Sequence, residues 1–435
     1  MRIRPGRESR GGCRTGPPCG VPDDPLSGRT IRAAVMTIKK IPVERLRPGM
    51  YVSDFNAGWL DHPFFLNKKT IRNAGEVSRI AAAGIDSVFI DTALGLDADD
   101  SPTAEEAAEQ VEQALTEAFS GNAAPPQSFA ESLPEANRLI GSARRALQEL
   151  FTDVRLGNSI DFQTAKETAR QLAAGAARHP QACLLLGRLN RSDDYTFRHS
   201  VSVALVLGIF ARHQQRPDEE IESLTLGGVL HDVGKMKMPP AVLNKPGQLS
   251  PDEMRIMSRH VAAGIDLVRE AEDFLDPVAF KVLSEHHERY DGSGYPRGLR
   301  GDEISPGGRM AGIIDVYDAI TADRVYRRSI NPAEAVRKLF EWSERHFDRE
   351  MAHAFIKTIG IYPAGSLVRL ESGRLGIVLR QGEGSLMAPE VRVVYDTRRL
   401  SFVTPVDIQL AKSADRIVGH EAADKWNIPL ERFLA

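Results

Sequence analysis

From Thr37 to Pro42, and again from Tyr51 to Phe55, apolar and polar residues alternate with the period of a strand. Pro48-Gly49 supplies a turn between the two. Asn73, with Glu76 three residues on, resembles a capping box and predicts a short helix through Ala83, closed by Gly84. Ser87-Val88-Phe89-Ile90-Asp91 then reads as a returning strand, so 36–93 is expected to be a small α+β domain. Ala, Glu, Asp and Pro dominate 94–135, with Pro125-Pro126 breaking what helical pattern there is, which predicts a linker. From Leu133 the period changes to that of a helix, with Leu139, Ala143, Leu147 and Leu150 on one stripe. Residues 136–362 are expected to form an all-α domain, helical apart from short turns and a glycine-rich loop after His287. Alternation returns at Ser366–Leu370 and Arg374–Arg380, joined by Ser372-Gly373, and again at Val391–Tyr395 and Ser401–Val403. The tail, 363–435, is therefore read as a small antiparallel β unit, closed by the Lys425-Trp426 region.

Composition narrows the classes. The chain has 435 residues, 42% hydrophobic and 26% charged, which suits two or three soluble domains. A net charge of -3 gives no general reason to expect nucleic acid or a membrane surface. The longest apolar run, Val201 to Ala211, is too short to span a bilayer. Cys13, Cys19 and Cys183 offer no disulfide framework, as expected of a reducing cytoplasm. Residues 1–35 carry seven arginines among glycines and prolines and little apolar spacing. They read as a disordered arm, or as a mis-called extension before a true start at Met36.

Chemistry concentrates between 199 and 327. Six of the eleven histidines fall between His199 and His287. His231-Asp232 ends the apolar stripe Leu224, Leu226, Val229, Leu230, so both side chains are expected half buried at a helix end. A buried carboxylate requires a partner, and a metal ion is one. His199, His260, the pair His286-His287 and Asp315 complete a set of imidazoles and carboxylates of the kind that binds Fe, Mn or Zn. His62, His179, His213, His346, His353 and His420 fit no ligand spacing and are read as structural or surface residues. Asp291 and Asp318 are expected to cap or brace the glycine-rich loop rather than to touch metal.

Read together, these stretches resemble an HD-GYP domain. They are Tyr195-Thr196-Phe197-Arg198-His199, His231-Asp232-Val233-Gly234-Lys235, Leu243-Asn244-Lys245-Pro246-Gly247, the run His286 to Pro296, and Asp315 to Arg324. Leu46-Arg47-Pro48-Gly49-Met50-Tyr51-Val52 and Asp61-His62-Pro63-Phe64 resemble a domain of unknown function that precedes HD-GYP domains in bacteria. The resemblance implies an all-helical HD-superfamily bundle that hydrolyses cyclic di-GMP to linear pGpG, or onward to GMP, by attack of metal-bound hydroxide on phosphorus. It implies His199, His231, Asp232, His260, His286, His287 and Asp315 as ligands of two divalent ions, iron or manganese, with Asp232 bridging. Lys235 would face the reacting phosphate and, with Asp232, serve catalysis. Tyr295 would pack near the substrate, and Arg324 with Arg327, three apart on one helical face, would grip a phosphate. Tyr195 stands where some members carry a glutamate for a third ion, which favours a two-metal centre.

Other readings compatible with this sequence are a sensor that binds the nucleotide with little turnover and an HD hydrolase for another cyclic dinucleotide. Beyond the nucleotide, the partners this reading allows are proteins bound through the GYP loop or the amino-terminal domain, and a second copy of the chain.

Overall fold

The structure, a computed structural model, describes residues 38–56, 68–98, 100–119, 129–189, 195–270, 275–322, 329–343, 345–382 and 385–434. The arm expected over residues 1–35, and Met36, lie outside the described residues, as do Arg324 and Arg327. Of Tyr195 only the helical backbone is described.

The amino-terminal unit contains β1 (Ile38–Pro42), β2 (Tyr51–Asp54), β3 (Lys69–Thr70), α1 (Ala74–Ala82) and β4 (Ser87–Asp91). Its antiparallel sheet has the order β1-β4-β2-β3. Helix α1 starts where the sequence places it, because the Asn73 side chain accepts from the Glu76 N–H at 3.0 Å. It ends at Gly84, whose φ of +77° suits a residue without Cβ. Ile41, Val52, Ile71, Ile80, Val88 and Ile90 close a core of their own between sheet and helix.

The stretch read as a linker behaves differently. Helix α2 (Ala104–Ala118) opens with a complete capping box between Thr103 and Glu106. Leu115 and Phe119 are buried in the core of the helical domain, and α2 packs on α13 (Pro332–Trp342). Glu112 pairs with Arg337 and accepts from the Tyr362 hydroxyl. The alanine- and glutamate-rich composition that looked like a spacer is that of an amphipathic helix with a narrow apolar stripe.

The helical domain runs through α3 (Phe129–Leu156), α4 (Phe162–Arg178), α5 (Pro180–Leu189), α6 (Tyr195–His213) and α7 (Asp218–Leu230). After a 3₁₀ turn, Val233–Lys237, come α8 (Pro240–Leu243), α9 (Pro251–Met257), α10 (His260–Arg269) and α11 (Pro277–Glu285). The helices α12 (Pro306–Thr321), α13 and α14 (Arg349–Ile359) complete it. Helix α7 is central, packed on α4, α6 and α11. A Cβ at Gly228 would stand 2.7 Å from the Ala204 Cα, so only glycine lets α6 and α7 approach this closely. That contact aims the carboxyl end of α7, and with it His231 and Asp232, into the bundle.

The tail forms β5 (Leu367–Leu370), β6 (Arg374–Arg380), β7 (Glu390–Asp396), β8 (Ser401–Gln409) and β9 (Ile417–His420), a sheet of order β8-β7-β6-β5-β9. The β5–β6 hairpin pairs Leu367 with Ile377, as the alternation predicts, whereas β9 adds an edge that the sequence pattern does not announce. One face of the sheet, with Val368, Leu370, Val378 and Val391, joins the helical core, and Asn331 ties Leu367 O and Glu421 O to α13.

Replacing Leu115 by alanine tests the docking of α2. It should cost about 2–5 kcal/mol of stability, the range for emptying a fully buried leucine site. Denaturant unfolding should show that loss; a change near zero would return α2 to the status of a spacer.

Candidate metal centre and active site

Five histidines and three aspartates meet inside the bundle, each on or just past a helix. His199 stands on α6, His231 and Asp232 follow α7, His260 begins α10, His286 and His287 follow α11, and Asp315 and Asp318 lie on α12. All eight side chains are buried.

Local helix geometry fixes the rings. The Nδ1 of His231 donates to Gly228 O at 2.8 Å, that of His260 to Met257 O at 2.7 Å and that of His286 to Leu283 O at 2.9 Å. In each case the acceptor is the carbonyl three residues back. A carbonyl can only accept, so Nδ1 carries the proton and Nε2 is left bare toward the centre. His199 obtains the same orientation from a carboxylate, because its Nδ1 donates to Asp318 Oδ2 at 2.6 Å. The second Asp318 oxygen accepts from the Ser202 hydroxyl. Asp318 is therefore a brace, as expected, but it braces a ligand rather than the loop.

Two groups of ligand atoms result. Asp232, His260, His286 and His287 present atoms within 4.8 Å of one another, and so do His199, His231 and Asp315. Asp232 lies between them: Oδ1 is 3.4 Å from His260 Nε2, and Oδ2 is 3.3 Å from His231 Nε2 and 3.7 Å from His199 Nε2. All seven residues named as ligands are thus brought together.

The residues fit a cation on chemical grounds. His260 Nε2 and His286 Nε2 face each other at 3.4 Å, both bare, which is acceptor against acceptor. Buried Asp232 Oδ1 and His287 Nδ1 find no hydrogen-bond donor among the described residues. Such groups are costly to bury unless a positive ion satisfies them. The cluster could hold divalent metal.

The electrostatics agree. Burial, reinforced by neighbouring histidines, takes His286 down to about 3 and holds His287 well below its ordinary value; burial takes His260 down to about 4. These imidazoles are neutral, as ligands must be. Burial would raise the Asp232 carboxyl, but Lys235 and His231 outweigh it and hold it well below the usual range. His199 is the exception. Burial opposes its charge, yet the bonds to Asp315 and Asp318 lift it to about 9.

Lys235 Nζ sits 2.5 Å from Asp232 Oδ2, one turn past the ligand pair. Gly234 permits this turn to lie on α10, since a Cβ there would come within 1.9 Å of His260 O. The loop after His287 folds back over the centre. Tyr295 N donates to His287 O at 3.1 Å, and the Tyr295 ring lies 4.7 Å from the His287 ring. Gly294 allows that return, because a Cβ would meet the backbone of Glu288 and Arg289 at 2.5 Å or less. Glu288 receives Arg297 N and Leu299 N, and Glu285 receives Ser305 N and the Arg297 guanidinium. Both glutamates brace the loop. Neither was singled out as a candidate, though Glu288 directly follows the histidine pair.

Metal uptake should release a proton. In the metal-free protein His199 is protonated at pH 7, and its Nε2 must be bare to ligate. Affinity should therefore rise by up to about tenfold per pH unit between pH 7 and 9 from this group alone. Calorimetric titration of Mn²⁺ into metal-free protein at pH 7, in buffers of unlike ionisation enthalpy, should give heats that differ by buffer. Identical heats would contradict the charge on His199.

Comparison with known proteins follows the same lines. The HD domain model matches residues 176–351, and the model of a domain of unknown function, DUF3391, matches 38–165. The latter runs well past β4, through α2 and α3 into α4. A cyclic di-GMP phosphodiesterase of Pseudomonas aeruginosa is 39% identical over 394 residues, covering 90% of this chain and 94% of the relative. A 3'3'-cGAMP-specific phosphodiesterase of Vibrio cholerae is 32% identical over 192 residues, 44% of this chain and 35% of that one. A solved HDG"Y"P protein from Bdellovibrio bacteriovorus aligns with a TM-score of 0.44 at 17% identity, covering 73% of this chain and 98% of its own. With its motifs in unbroken order and a relative matched along nearly its whole length, the chain belongs to the HD-GYP family of phosphodiesterases and carries a DUF3391 domain at its amino-terminal side.

Proposed function

We propose that the chain hydrolyses cyclic di-GMP to linear pGpG with the help of two divalent ions, iron or manganese. The observation that carries this reading is the division of seven buried ligand residues into two groups with Asp232 between them. Bound divalent ions supply charge neutralisation at phosphorus and a water that ionises near neutral pH.

The chain's own residues do the rest. His231, His260 and His286 are locked by their backbone bonds, so little reorganisation is needed when ligand binds. Lys235 brings a second positive charge to the edge of the site, where it can neutralise a phosphoryl oxygen and Asp232 in turn. Tyr295 places an aromatic face beside the ligand cluster, suited to stack on a base and to exclude water. Arg324 and Arg327 follow α12 in sequence and are assigned a phosphate of the substrate. A hybrid cyclic dinucleotide is the second reading, favoured by the Vibrio cholerae relative's specificity. A nucleotide sensor would have no use for a full ligand set plus Lys235.

Anaerobic purification, metal analysis and chromatography of products from cyclic di-GMP and 3'3'-cGAMP side by side separate these readings. Linear pGpG formed from cyclic di-GMP, in preference to cleavage of the hybrid, is the expected result. Asp232→Ala should lose metal and all turnover, since it removes a member of the first group and the carboxylate oxygen that faces the second. Full activity in a metal-depleted Asp232→Ala protein would end the proposal. Arg324→Ala should keep its metal while kcat/KM falls roughly ten- to a hundredfold, the effect of losing one charge-assisted phosphate contact. Metal loss in that variant would move Arg324 into the structural shell.

A further inference from the structure

The turn between α13 and α14 touches both the amino-terminal unit and the loop over the metal centre. Arg345 Nη1 donates to Asp86 Oδ1 at 2.8 Å and to Gly84 O at 3.2 Å, both at the end of α1 and start of β4. Its Nε donates to Asp291 Oδ2 at 3.1 Å. One guanidinium thus spans from the DUF3391 unit to Asp291 in the glycine-rich loop. Gly84 makes room for it: a Cβ there would stand 3.3 Å from Arg345 Nη2.

Asp291 shapes that loop. Its other oxygen accepts from Ser293 N at 2.9 Å and from the Ser293 hydroxyl at 2.6 Å, which sets the turn leading to Gly294 and Tyr295. The neighbouring residue repeats the anchorage, because Tyr290 N donates to His346 O at 3.0 Å. Tyr295, four residues beyond Asp291, is the residue lying against His287. The carboxyl end of α13, just before that turn, is also where the amino-terminal unit docks. Lys40 Nζ pairs with Glu341 at 2.7 Å, and Trp342 Nε1 donates to Asn56 O at 3.1 Å. Those contacts hold the two units together without reaching the loop. Only Arg345, among the described residues, joins the unit directly to Asp291.

We infer that Arg345 is a positioning residue for the reaction: by tying Asp291 to Asp86 and Gly84, it lets the amino-terminal unit set how firmly the Asp291–Tyr295 turn is held over the metal centre. A change in that unit that withdraws Asp86 would free the guanidinium and loosen the turn. Lysine cannot take its place, because a single ammonium lacks the planar fork that reaches both carboxylates. The Arg345 and Asp86 side chains are partly exposed, at 41% and 71%, so the effect is a graded one rather than a switch.

The effect on turnover rests on the function proposed above; the effect on the loop does not. Hydrogen exchange of the full chain, read at amides 291–295, should therefore be measured beside activity. Arg345→Met, Arg345→Lys and Asp86→Asn should each speed exchange there by about two- to fivefold, the scale of one partly exposed charge pair. Exchange in α6 and α7, metal content and melting temperature should stay unchanged. KM for the cyclic dinucleotide should rise by a similar factor, while cleavage of the small diester bis(p-nitrophenyl) phosphate, which needs no loop contact, should not change. Lys40→Met, which cuts the interface away from the loop, is the control. Unchanged exchange in the Arg345 and Asp86 variants would overturn the inference, as would equal acceleration in Lys40→Met, which would indicate general undocking. Faster exchange in a protein that cleaves no cyclic dinucleotide would keep the coupling and dismiss the function.

Discussion

Everything in the helical domain answers to one requirement, that a set of bare imidazole nitrogens and ionised carboxylates stay together in the dry centre of a bundle. Water would disperse the ligands' mutual repulsion; the interior does not. The chain meets the requirement by rigidity rather than by solvation. Four of the five rings are held by a carbonyl of their own helix or by Asp318, and the helices are held by apolar packing from Val201, Leu230, Val282 and Ile314. The arrangement is therefore strained electrostatically and secure mechanically, which is the state a strongly bound cation relieves. The imidazolium of His199 and the ammonium of Lys235 lie where part of that positive charge belongs.

The gathering of the five histidines with Asp232 and Asp315 was legible because its spacing is dictated by helix ends. A histidine just past an apolar stripe, as at His231 and His286, has few places to go but the bundle centre. The helical period and the β alternation of the tail were readable for the same reason: burial imposes a period on the sequence. The braces were harder. Asp318 lies three residues after Asp315 on one helix, but nothing local distinguishes a carboxylate that orients His199 from one that faces solvent or braces the loop. Glu285 and Glu288 act on backbone N–H groups of Arg297, Leu299 and Ser305, partners a sequence pattern does not reveal. Helix α2 was misread because alanine and glutamate suit a spacer and a surface helix equally, and only Leu115 and Phe119 tell them apart.

The β tail and the amino-terminal unit are joined to the catalytic domain in different ways. The tail contributes one sheet face to the main core, so its removal would uncover apolar surface. The amino-terminal unit keeps a separate core and meets the helical domain through polar groups at the end of α13 and on the turn after it. An interface of that kind is easily remodelled in its strength without unfolding either side.

Helix α2 complicates this modular picture. It follows the amino-terminal unit in sequence and lies within the segment matched by the DUF3391 model, yet its apolar stripe and Glu112 belong to the helical domain. A recombination event that exchanged the whole DUF3391 segment for another would remove a piece of the partner's interior with it. An exchange of amino-terminal units that leaves the helical interior whole would have to cut before Thr103 and keep α2 with the helical domain.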